Sequence, residues 1–296
     1  MSARRPHFGL ILPNYGSGLS LERLVGAARA AEDAGFDSGW VTDHILVPDE
    51  HAHVYGTINE PLVSLGYLSA RTTRLELGVS ALVVPQRSPL VALKQLTTLD
   101  FLSGGRIVTA VAAGWMQGEF ETLGASFEQR GKLLDDWLSA ALSVFEQMPG
   151  HVKYRGQLLS FEGWLAPGLV RPGGPELWVA GVSSATVRRA AITGVWHPVA
   201  LPPERVRTMA AALRTRRADS RVVLRLTVFL EREPRTGQDE RGRHAIAGPP
   251  DWVAERLVEY LAVGCDGFVV NLDYARPGLE ERAARFAEDV LPLLPR

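Results

Sequence analysis

The sequence contains one cysteine and only three lysines in 296 residues, and its formal net charge is -1. The lone Cys265 excludes an intramolecular disulfide and is consistent with a reducing compartment. The near-zero net charge argues against a polyanionic partner such as nucleic acid. No apolar run is long enough to span a membrane, and the run at residues 8–12, which Pro13 interrupts, is too short for a signal peptide. We therefore expect a soluble, cytoplasmic protein that binds neither nucleic acid nor membranes.

Apolar residues make up 46% of the chain and form short runs separated by stretches of helical spacing. The predicted strands cover residues 8–12, 39–41, 75–84, 107–112, 177–180, 195–200, 222–230 and 267–270. The segments AEDAGFDSGWV near residue 31 and EYLAVGCDGFVV near residue 259 share one order of helix, glycine and strand, which suggests a repeated unit. Eight strands alternating with helices predict an α/β fold, a (β/α)8 TIM barrel formed by residues 1–296 as a single domain.

A doubly wound open sheet is the alternative fold, but the G-x-G-x-x-G signature that would favour it is absent after the first strand. Residues 151–168 predict a small hairpin around Gly156, inserted before the fifth strand. Residues 45–59 and 231–248 have no periodic pattern and are predicted to be loops. Ser126 and Gln129 form a capping box that predicts a helix over residues 127–147.

Small and polar residues follow the predicted strands at their carboxyl ends, where the active sites of (β/α)8 barrels lie. These positions are Asn14, Asp43, His44, Ser80, Gly114, Trp115, Gly181, Ser183, Trp196, His197, Asn271 and Asp273. Asp43 and His44 are adjacent, so their side chains point to opposite sides of a strand end and do not easily chelate one metal. We expect His44 to face the barrel mouth while Asp43 holds a loop amide. A purely structural pair is the alternative.

The other candidates also have structural alternatives. Ser183, in GVSS at 181–184, would face an anion at the start of a helix, or it is an ordinary N-cap. Trp115 and Trp196 would stack on a flat ring, or they are core tryptophans. His51 and His53 have a ligand-like spacing without a partner cluster, and HExxH, GxSxG and GxxxxGK[ST] are absent. We therefore predict no metal site.

Six segments together resemble the luciferase-like monooxygenase family of flavin and deazaflavin oxidoreductases. They are VTDH at 41–44, GVSALVVPQRSP at 78–89, LDFLSGGR at 99–106, AAGWMQGEF at 112–120, ELWVAGVSS at 176–184 and PPDWVAERLVEYLAVGCDGFVV at 249–270. The resemblance covers nearly the whole chain. It implies a (β/α)8 barrel with an insertion before the fifth strand, and it leads us to expect a homodimer.

The resemblance also implies functional positions. Members that use coenzyme F420 carry a non-prolyl cis peptide in the third strand, which bulges against the face of the deazaflavin ring, and here that bond is Ser80–Ala81. His44 would lie at the ring end of the cofactor, beside the substrate, and residues 181–183 would hold its phosphate. The predicted cofactor-binding residues are Asp43, Ser80, Ala81, Gly114, Gly181, Val182 and Ser183, and the predicted catalytic residues are His44, Trp115 and Asn14.

The sequence departs from the sugar-phosphate dehydrogenase branch of this family, because Trp115 follows Gly114 where that branch has an acid. Few lysines are present to clamp a sugar phosphate, so we expect a fairly apolar small-molecule substrate. The favoured function is hydride transfer between coenzyme F420 and such a substrate. One alternative is an FMN-dependent monooxygenase that a separate reductase supplies with reduced flavin. The others are a metal-dependent hydrolase that uses Asp43, His44, His51 and His53, and a non-catalytic barrel that only binds a ligand or partner.

Overall fold

A computed structural model describes residues 5–239, 242–274 and 276–295 of the chain. The strands are β1 His7–Ile11, β2 Ser38–Val41, β3 Glu76–Val83, β4 Ile107–Ala112, β5 Gly150–Arg155, β6 Ser160–Leu165, β7 Glu176–Ala180, β8 Val195–His197, β9 Arg221–Leu230, β10 Arg235–Gln238, β11 His244–Gly248 and β12 Gly267–Asn271. The α-helices are α1 Leu21–Asp33, α2 Asp49–Tyr55, α3 Pro61–Ser69, α4 Pro89–Ser103, α5 Gln117–Thr122, α6 Arg130–Gln147, α7 Ser184–Thr193, α8 Pro203–Arg216, α9 Pro250–Ala262 and α10 Leu279–Asp289. Within these described ranges, no helix combines the length and the apolar character needed to cross a membrane.

Eight of the strands are parallel and alternate with helices along the chain, namely β1 to β4, β7 to β9 and β12. The order of the sheet closes where β8 pairs with β9. The chain therefore has the predicted (β/α)8 barrel fold and not a doubly wound open sheet. All eight predicted strands are present, close to their predicted bounds. They were visible in the sequence because strands covered on both faces read as continuous apolar runs.

Contacts along the chain divide it into two compact units. The first unit contains the described parts of residues 1–13, 20–40 and 178–296, and the second contains residues 14–19 and 41–177. The first unit carries all or most of six parallel strands, in the order β7, β8, β9, β12, β1 and β2. The second unit carries the pair of β3 and β4. The assignment of residues 1–296 to a single domain stays a prediction.

An aromatic cluster fills part of the core of the first unit. The ring centroid of Trp40 lies 4.7 Å from that of Trp178 and 5.4 Å from that of His197. All three side chains are buried. Nδ1 of His197 lies 2.7 Å from the carbonyl oxygen of Val223, and it carries a proton because a carbonyl can only accept. Burial lowers the pKa of His197 to about 3, although the bond to Val223 opposes this, so the imidazole is neutral at ordinary pH.

The second unit contains the predicted insertion. β5 and β6 form an antiparallel hairpin before β7, the fifth strand of the barrel, and Gly156 lies in the turn between them. A Cβ atom at Gly156 would clash with a carboxylate oxygen of Asp136, so this close approach requires glycine. The prediction of a hairpin around Gly156 is confirmed.

Two segments predicted to be loops contain regular structure, and those predictions are wrong. Residues 45–59 include α2, which shows no apolar period because Tyr55 is its only buried residue. Residues 231–248 include β10 and β11, which pair antiparallel with each other, while β11 also runs parallel to β9. The last four of the five residues of β11 are buried. Charged residues on both sides mask so short an apolar run in the sequence.

The long helix before the insertion begins later than predicted. Ser126 Oγ accepts a hydrogen bond from the backbone N–H of Gln129 at 3.3 Å, which is half of the predicted capping box. Residues 127–129 form a turn, and α6 begins at Arg130. As the N-cap residue of α6, Gln129 makes no side-chain capping bond to the helix. The bond to Ser126 therefore closes the turn that precedes the helix.

The buried, neutral His197 predicts a loss of stability in mild acid. The unfolded chain takes up a proton near the ordinary pKa of 6.5, whereas the folded chain does so only near a pKa of about 3. The free energy of unfolding therefore falls as the pH drops through this window, with a slope from this group of up to about 1.4 kcal/mol per pH unit. We expect His197→Gln, which keeps a donor for Val223, to remove most of that slope in chemical denaturation measured at a series of pH values.

His151 provides the matched control for this experiment, because its side chain is 57% exposed on β5. His151→Gln should leave the pH dependence of unfolding nearly unchanged. Parallel pH dependences of wild type and His197→Gln would contradict the prediction.

Candidate active site

Asn14 holds the segment that follows β2. Its Oδ1 accepts from the backbone N–H of Thr42 at 2.8 Å, and its Nδ2 donates to the carbonyls of Thr42 at 2.8 Å and Asn59 at 3.3 Å. The side chain is completely buried. It fixes the backbone directly before Asp43 and His44. A catalytic role for Asn14 stays a prediction, and its amide is already engaged with the backbone on both sides.

Asp43 anchors the end of β3. Its Oδ2 accepts from the backbone N–H of Val83 at 2.8 Å, and its Oδ1 is bonded by the guanidinium of Arg87. Arg87 also donates to Glu60 at 2.9 Å. Burial raises the pKa of the Asp43 carboxyl group, while the Arg87 charge and the Val83 bond work against that rise. Asp43 was expected to hold a loop amide, and the amide it holds is instead that of Val83, the last residue of β3. Its role in cofactor binding stays a prediction.

His44 takes a different partner from its neighbour. Its Nδ1 lies 2.9 Å from Oε2 of Glu119 on α5. The other carboxylate oxygen, Oε1, accepts from the backbone N–H groups of Ile45 at 2.6 Å and Leu46 at 3.3 Å. His44 is 6% exposed and Glu119 is 1% exposed. Within the described chain no residue hydrogen-bonds to Nε2 of His44, so this nitrogen is the one available to a ligand.

Aromatic rings surround the His44 imidazole. The Tyr55 ring on α2 lies 4.3 Å away between centroids, and the Trp115 ring stands perpendicular at 6.2 Å. His51, also on α2, packs edge-on against Trp115 at 5.1 Å. The segment predicted to be a loop therefore supplies two of the rings at this site.

Exposed apolar side chains border His44. Ile45 is 39% exposed, and Leu46 and Trp115 are each 54% exposed. Trp115 is therefore not a core tryptophan. Large apolar side chains left open beside a buried imidazole offer a surface for an apolar ligand, because burial of that surface contributes about 25 cal/mol per Å².

The backbone of β3 is irregular close to this site. The Ser80–Ala81 peptide bond is cis, at the position that the family resemblance implies. The register of β3 against β4 also shifts between Ser80 and Leu82, which is a β-bulge. Contact of Ser80 and Ala81 with a cofactor stays a prediction.

Gly114 makes the turn that leads from β4 to Trp115. Its φ is +87°, a conformation that favours glycine. A Cβ atom at this position would lie 2.7 Å from side-chain atoms of both Phe120 and Val83. Only glycine fits here, and its contact with a cofactor stays a prediction.

In the first unit, residues 181–183 lead into α7. Ser183 is the N-cap, and its Oγ accepts from the backbone N–H of Thr186 at 3.2 Å. The carbonyl of Gly181 accepts from Nε1 of Trp196 at 2.8 Å. Val182 is 42% exposed, and residues 183 and 184 are exposed with it. The structure thus shows an N-cap at an exposed helix start, and phosphate binding by Gly181, Val182 and Ser183 stays a prediction.

The remaining strand-end candidates also lie in the first unit. Trp196 and His197 are completely buried and hydrogen-bond to backbone carbonyls, which fits the structural alternative for both. Nδ2 of Asn271 lies 3.4 Å from the hydroxyl oxygen of Thr227. The carboxylate of Asp273 forms an ion pair with Arg276 at 2.9 Å.

The described part of the chain contains no group of three or more His, Cys, Asp or Glu side chains that could hold a metal ion. His51 packs against Trp115 and lies 3.6 Å from Glu50. Asp43 and His44 have separate partners. The hydrolase alternative therefore lacks a ligand cluster among these residues.

Sequence reasoning missed Glu119, Arg87 and Tyr55. Glu119 and Arg87 lie in two of the six segments that carry the family resemblance, AAGWMQGEF and GVSALVVPQRSP. Their bonds to His44 and Asp43 join residues 75 and 44 positions apart, and local spacing does not reveal such pairs. A charged residue inside an otherwise apolar family segment was the available signal.

The family model of the luciferase-like monooxygenases matches residues 7–241. The chain belongs to this family. The alpha chain of alkanal monooxygenase from a Kryptophanaron alfredi symbiont is 26% identical over 176 residues, which are 59% of this chain and 47% of that protein. A protein of Mycobacterium tuberculosis (strain ATCC 25618 / H37Rv) is 29% identical over 185 residues, which are 58% of this chain and 64% of that protein. The chain thus spans between about half and two thirds of the length of these curated relatives.

A solved structure similar to this luciferase-like chain is that of coenzyme F420 dependent tetrahydromethanopterin reductase from Methanopyrus kandleri. It has a TM-score of 0.80 at 14% identity, over 99% of this chain and 100% of that chain. At this identity the likeness shows the fold alone. The family contains F420-dependent and flavin-dependent oxidoreductases and monooxygenases, so membership leaves the cofactor open.

The second unit of this luciferase-like protein therefore presents the buried His44 imidazole, with the Glu119 carboxylate bonded to its Nδ1. Beside it lie the exposed side chains of Ile45, Leu46 and Trp115, which we call the apolar rim. An imidazole in this setting can give or take one proton at Nε2. The oxidation or reduction that the family performs requires a redox cofactor in addition, because no side chain at the site carries hydride chemistry.

The Asn14 clamp predicts an effect on stability. Asn14→Ala removes the amide that bonds to the buried N–H and carbonyl of Thr42, and the loss of a hydrogen-bond partner for a buried polar group costs about 1–3 kcal/mol. We expect the free energy of unfolding in urea to fall by about 2–4 kcal/mol. Asn59→Ala is the matched control, since the Asn59 side chain is exposed, and it should change the value by less than about 0.5 kcal/mol. Equal stabilities of the two variants would refute the clamp.

Proposed function

We propose that this protein transfers a hydride between coenzyme F420 and a small, fairly apolar organic substrate. The observation that carries the proposal is the setting of His44, whose Nδ1 is engaged by buried Glu119 while Nε2 is left for a ligand. An imidazole held in this way suits the proton transfer that accompanies hydride transfer at a carbon bearing oxygen. When bound, a deazaflavin supplies the carbon that gives or takes the hydride.

The residues of each unit, taken separately, suit one part of a flat cofactor with a phosphate. Ser80 and Ala81, at the bulge of β3, would contact the face of the ring, and Gly114 would let backbone approach it. Asp43 would act by fixing the end of β3 through Val83. Residues 181–183 would hold the phosphate at the exposed start of α7.

The substrate would be held by the apolar rim. Ile45, Leu46 and Trp115 would bury its apolar part, and Nε2 of His44 would meet its polar group. Trp115 would act as the wall that places the reacting carbon, and an apolar wall does not attract a sugar phosphate.

An FMN-dependent monooxygenase supplied by a separate reductase is the second candidate. It is supported by the similarity to alkanal monooxygenase. The same imidazole and apolar rim would serve that reaction, so cofactor binding distinguishes the two.

Titration of the purified protein with F420 and with FMN tests the proposal. We expect spectral changes that saturate with F420 at low micromolar concentration and no saturable change with FMN. His44→Gln should retain F420 binding and lower the rate of hydride transfer about 10²–10⁴-fold. The rate is measured from the absorbance of oxidised F420 with a panel of apolar alcohols, aldehydes and ketones, and His151→Gln is the exposed control.

Each outcome of this titration has one meaning. Saturable binding of FMN without binding of F420 supports the second candidate and overturns the first. Binding of neither cofactor, with no turnover, supports a non-catalytic barrel.

We also propose a homodimer that forms through one face of the second unit. A groove of about 790 Å³ lies between α3, α4 and the β5–β6 hairpin. Apolar side chains stand exposed along it, and Val63 on α3 is 70% exposed and Trp164 on β6 is 77% exposed. A contiguous apolar surface of this kind marks an interaction site, and a twofold dimer pairs the same surface from both copies.

Light scattering coupled to gel filtration tests the dimer. We expect the wild type to have twice the mass of one chain and Val63→Asp to shift it toward the monomer, because a charge would be buried at the interface. Ile192→Asp on α7 is the control, since Ile192 is 44% exposed outside this face, and it should remain dimeric. A monomeric wild type would rule the dimer out.

A further inference from the structure

Glu119 makes three hydrogen bonds through its two carboxylate oxygens. The donor and the acceptor cannot be exchanged in the two bonds that come from backbone N–H groups. Oε1 faces the N–H groups of Ile45 and Leu46, at 2.6 and 3.3 Å. Oε2 faces Nδ1 of His44 at 2.9 Å. Backbone N–H groups only donate, so the atom of residue 119 that faces them has to be an acceptor.

We propose that Glu119 is a positioning residue that keeps the proton of the neutral His44 ring on Nδ1 and leaves Nε2 as an acceptor. An ionised carboxylate accepts at both oxygens and donates at neither. Oε1 already accepts from the backbone N–H groups of Ile45 and Leu46, so Oε2 is the acceptor that an ionised Glu119 offers to the ring. Nδ1 of His44 must then donate to Oε2.

The same carboxylate also places the apolar rim. Its bonds to the backbone of Ile45 and Leu46 fix the two residues that follow His44, and both side chains remain exposed. Gly118, next to Glu119, approaches this segment as well, because a Cβ atom there would lie 2.9 Å from the Pro48 side chain. One buried acid thus sets the tautomer of the imidazole and the position of the surface beside it.

These bonds fix the orientation that the side-chain amide must take in Glu119→Gln. The side-chain amide has one acceptor oxygen and one donor nitrogen. The N–H groups of Ile45 and Leu46 cannot reverse, so the amide oxygen has to face them. The amide nitrogen then faces Nδ1 of His44 and donates to it, which moves the imidazole proton to Nε2. The variant is therefore expected to invert the tautomer while keeping every hydrogen bond paired.

Histidine labelled with ¹⁵N allows this to be measured in the ligand-free protein by long-range ¹H–¹⁵N NMR, at a pH of about 8, where an ordinary imidazole is neutral. The spectrum of His44→Gln identifies the His44 signals by their loss. In the wild type we expect Nδ1 of His44 to be the protonated nitrogen and Nε2 the unprotonated one. In Glu119→Gln we expect these two signals to exchange character, with circular dichroism and the melting temperature confirming the fold.

Glu121→Gln is the matched control on the same helix, since Glu121 is exposed and its carboxylate accepts from the side chain of Gln117. It should leave the His44 signals unchanged. A wild-type ring protonated on Nε2, or on both nitrogens, would overturn the proposal even if Glu119→Gln failed to fold. An unchanged tautomer in a folded Glu119→Gln would overturn it as well.

The consequence for catalysis rests on the proposed function. If His44 accepts from the substrate at Nε2, Glu119→Gln should lower kcat for hydride transfer and leave F420 affinity unchanged, whereas Glu121→Gln should change neither. The expected NMR exchange without any F420 binding would leave the role of Glu119 standing and remove the proposed function. F420-dependent turnover without the NMR exchange of the two His44 signals would support the proposed function and overturn the role of Glu119.

Discussion

Hydrogen bonds from backbone N–H groups to buried carboxylates are the interaction on which the second unit depends. Four such acids, each no more than 9% exposed, are Asp43, Asp100, Glu119 and Asp136. Asp43 accepts from the backbone N–H of Val83, and Asp100 accepts from those of Val170 and Arg171. Glu119 accepts from the backbone N–H groups of Ile45 and Leu46, and Asp136 accepts from those of Leu158 and Leu159. A buried N–H without a partner costs about 1–3 kcal/mol, and a charged acceptor binds it more strongly than a neutral one. Each of these backbone segments is therefore held by a side chain from a distant part of the sequence.

Hydrogen bonds between side chains and distant backbone are most numerous at the candidate site. Five consecutive residues, 42–46, are each held by a side chain from elsewhere or hold the backbone of another segment. Asn14 binds Thr42, Asp43 binds the end of β3, and Glu119 binds the ring of His44 and the two backbone N–H groups after it. The imidazole is thereby oriented before any ligand arrives, and preorganisation of this kind is what proton transfer in a site requires. The apolar rim is fixed by the same bonds.

The parts of the molecule that follow local rules were predictable from the sequence. Strands covered on both faces gave apolar runs, and the Ser80–Ala81 cis peptide followed from the family resemblance. The misses have a common physical origin. α2 buries a single residue, and β11 is a strand of only five residues between charged segments, so neither shows a readable periodicity. Glu119 was missed because a buried acid is recognised only by its partners, and those partners are far away in sequence. The effect of Asn14 was equally hidden, since an asparagine after a strand predicts a turn as readily as a buried clamp.

The ten-residue strand β9 has a further consequence for how this protein can change. Its start, at Arg221 and Val222, pairs with β8, whereas Thr227 to Leu230 pair with β11. Closure of the sheet uses this start together with a bridge from Arg225 to Val199, and the β10–β11 ribbon is attached through the later stretch. The β10–β11 ribbon is thus an addition at the edge of a barrel that is closed without it. Evolution or a protein engineer can lengthen, shorten or replace the β10–β11 ribbon while the eight barrel strands keep their pairing. The ribbon is therefore a place where the sequence can vary without loss of the barrel.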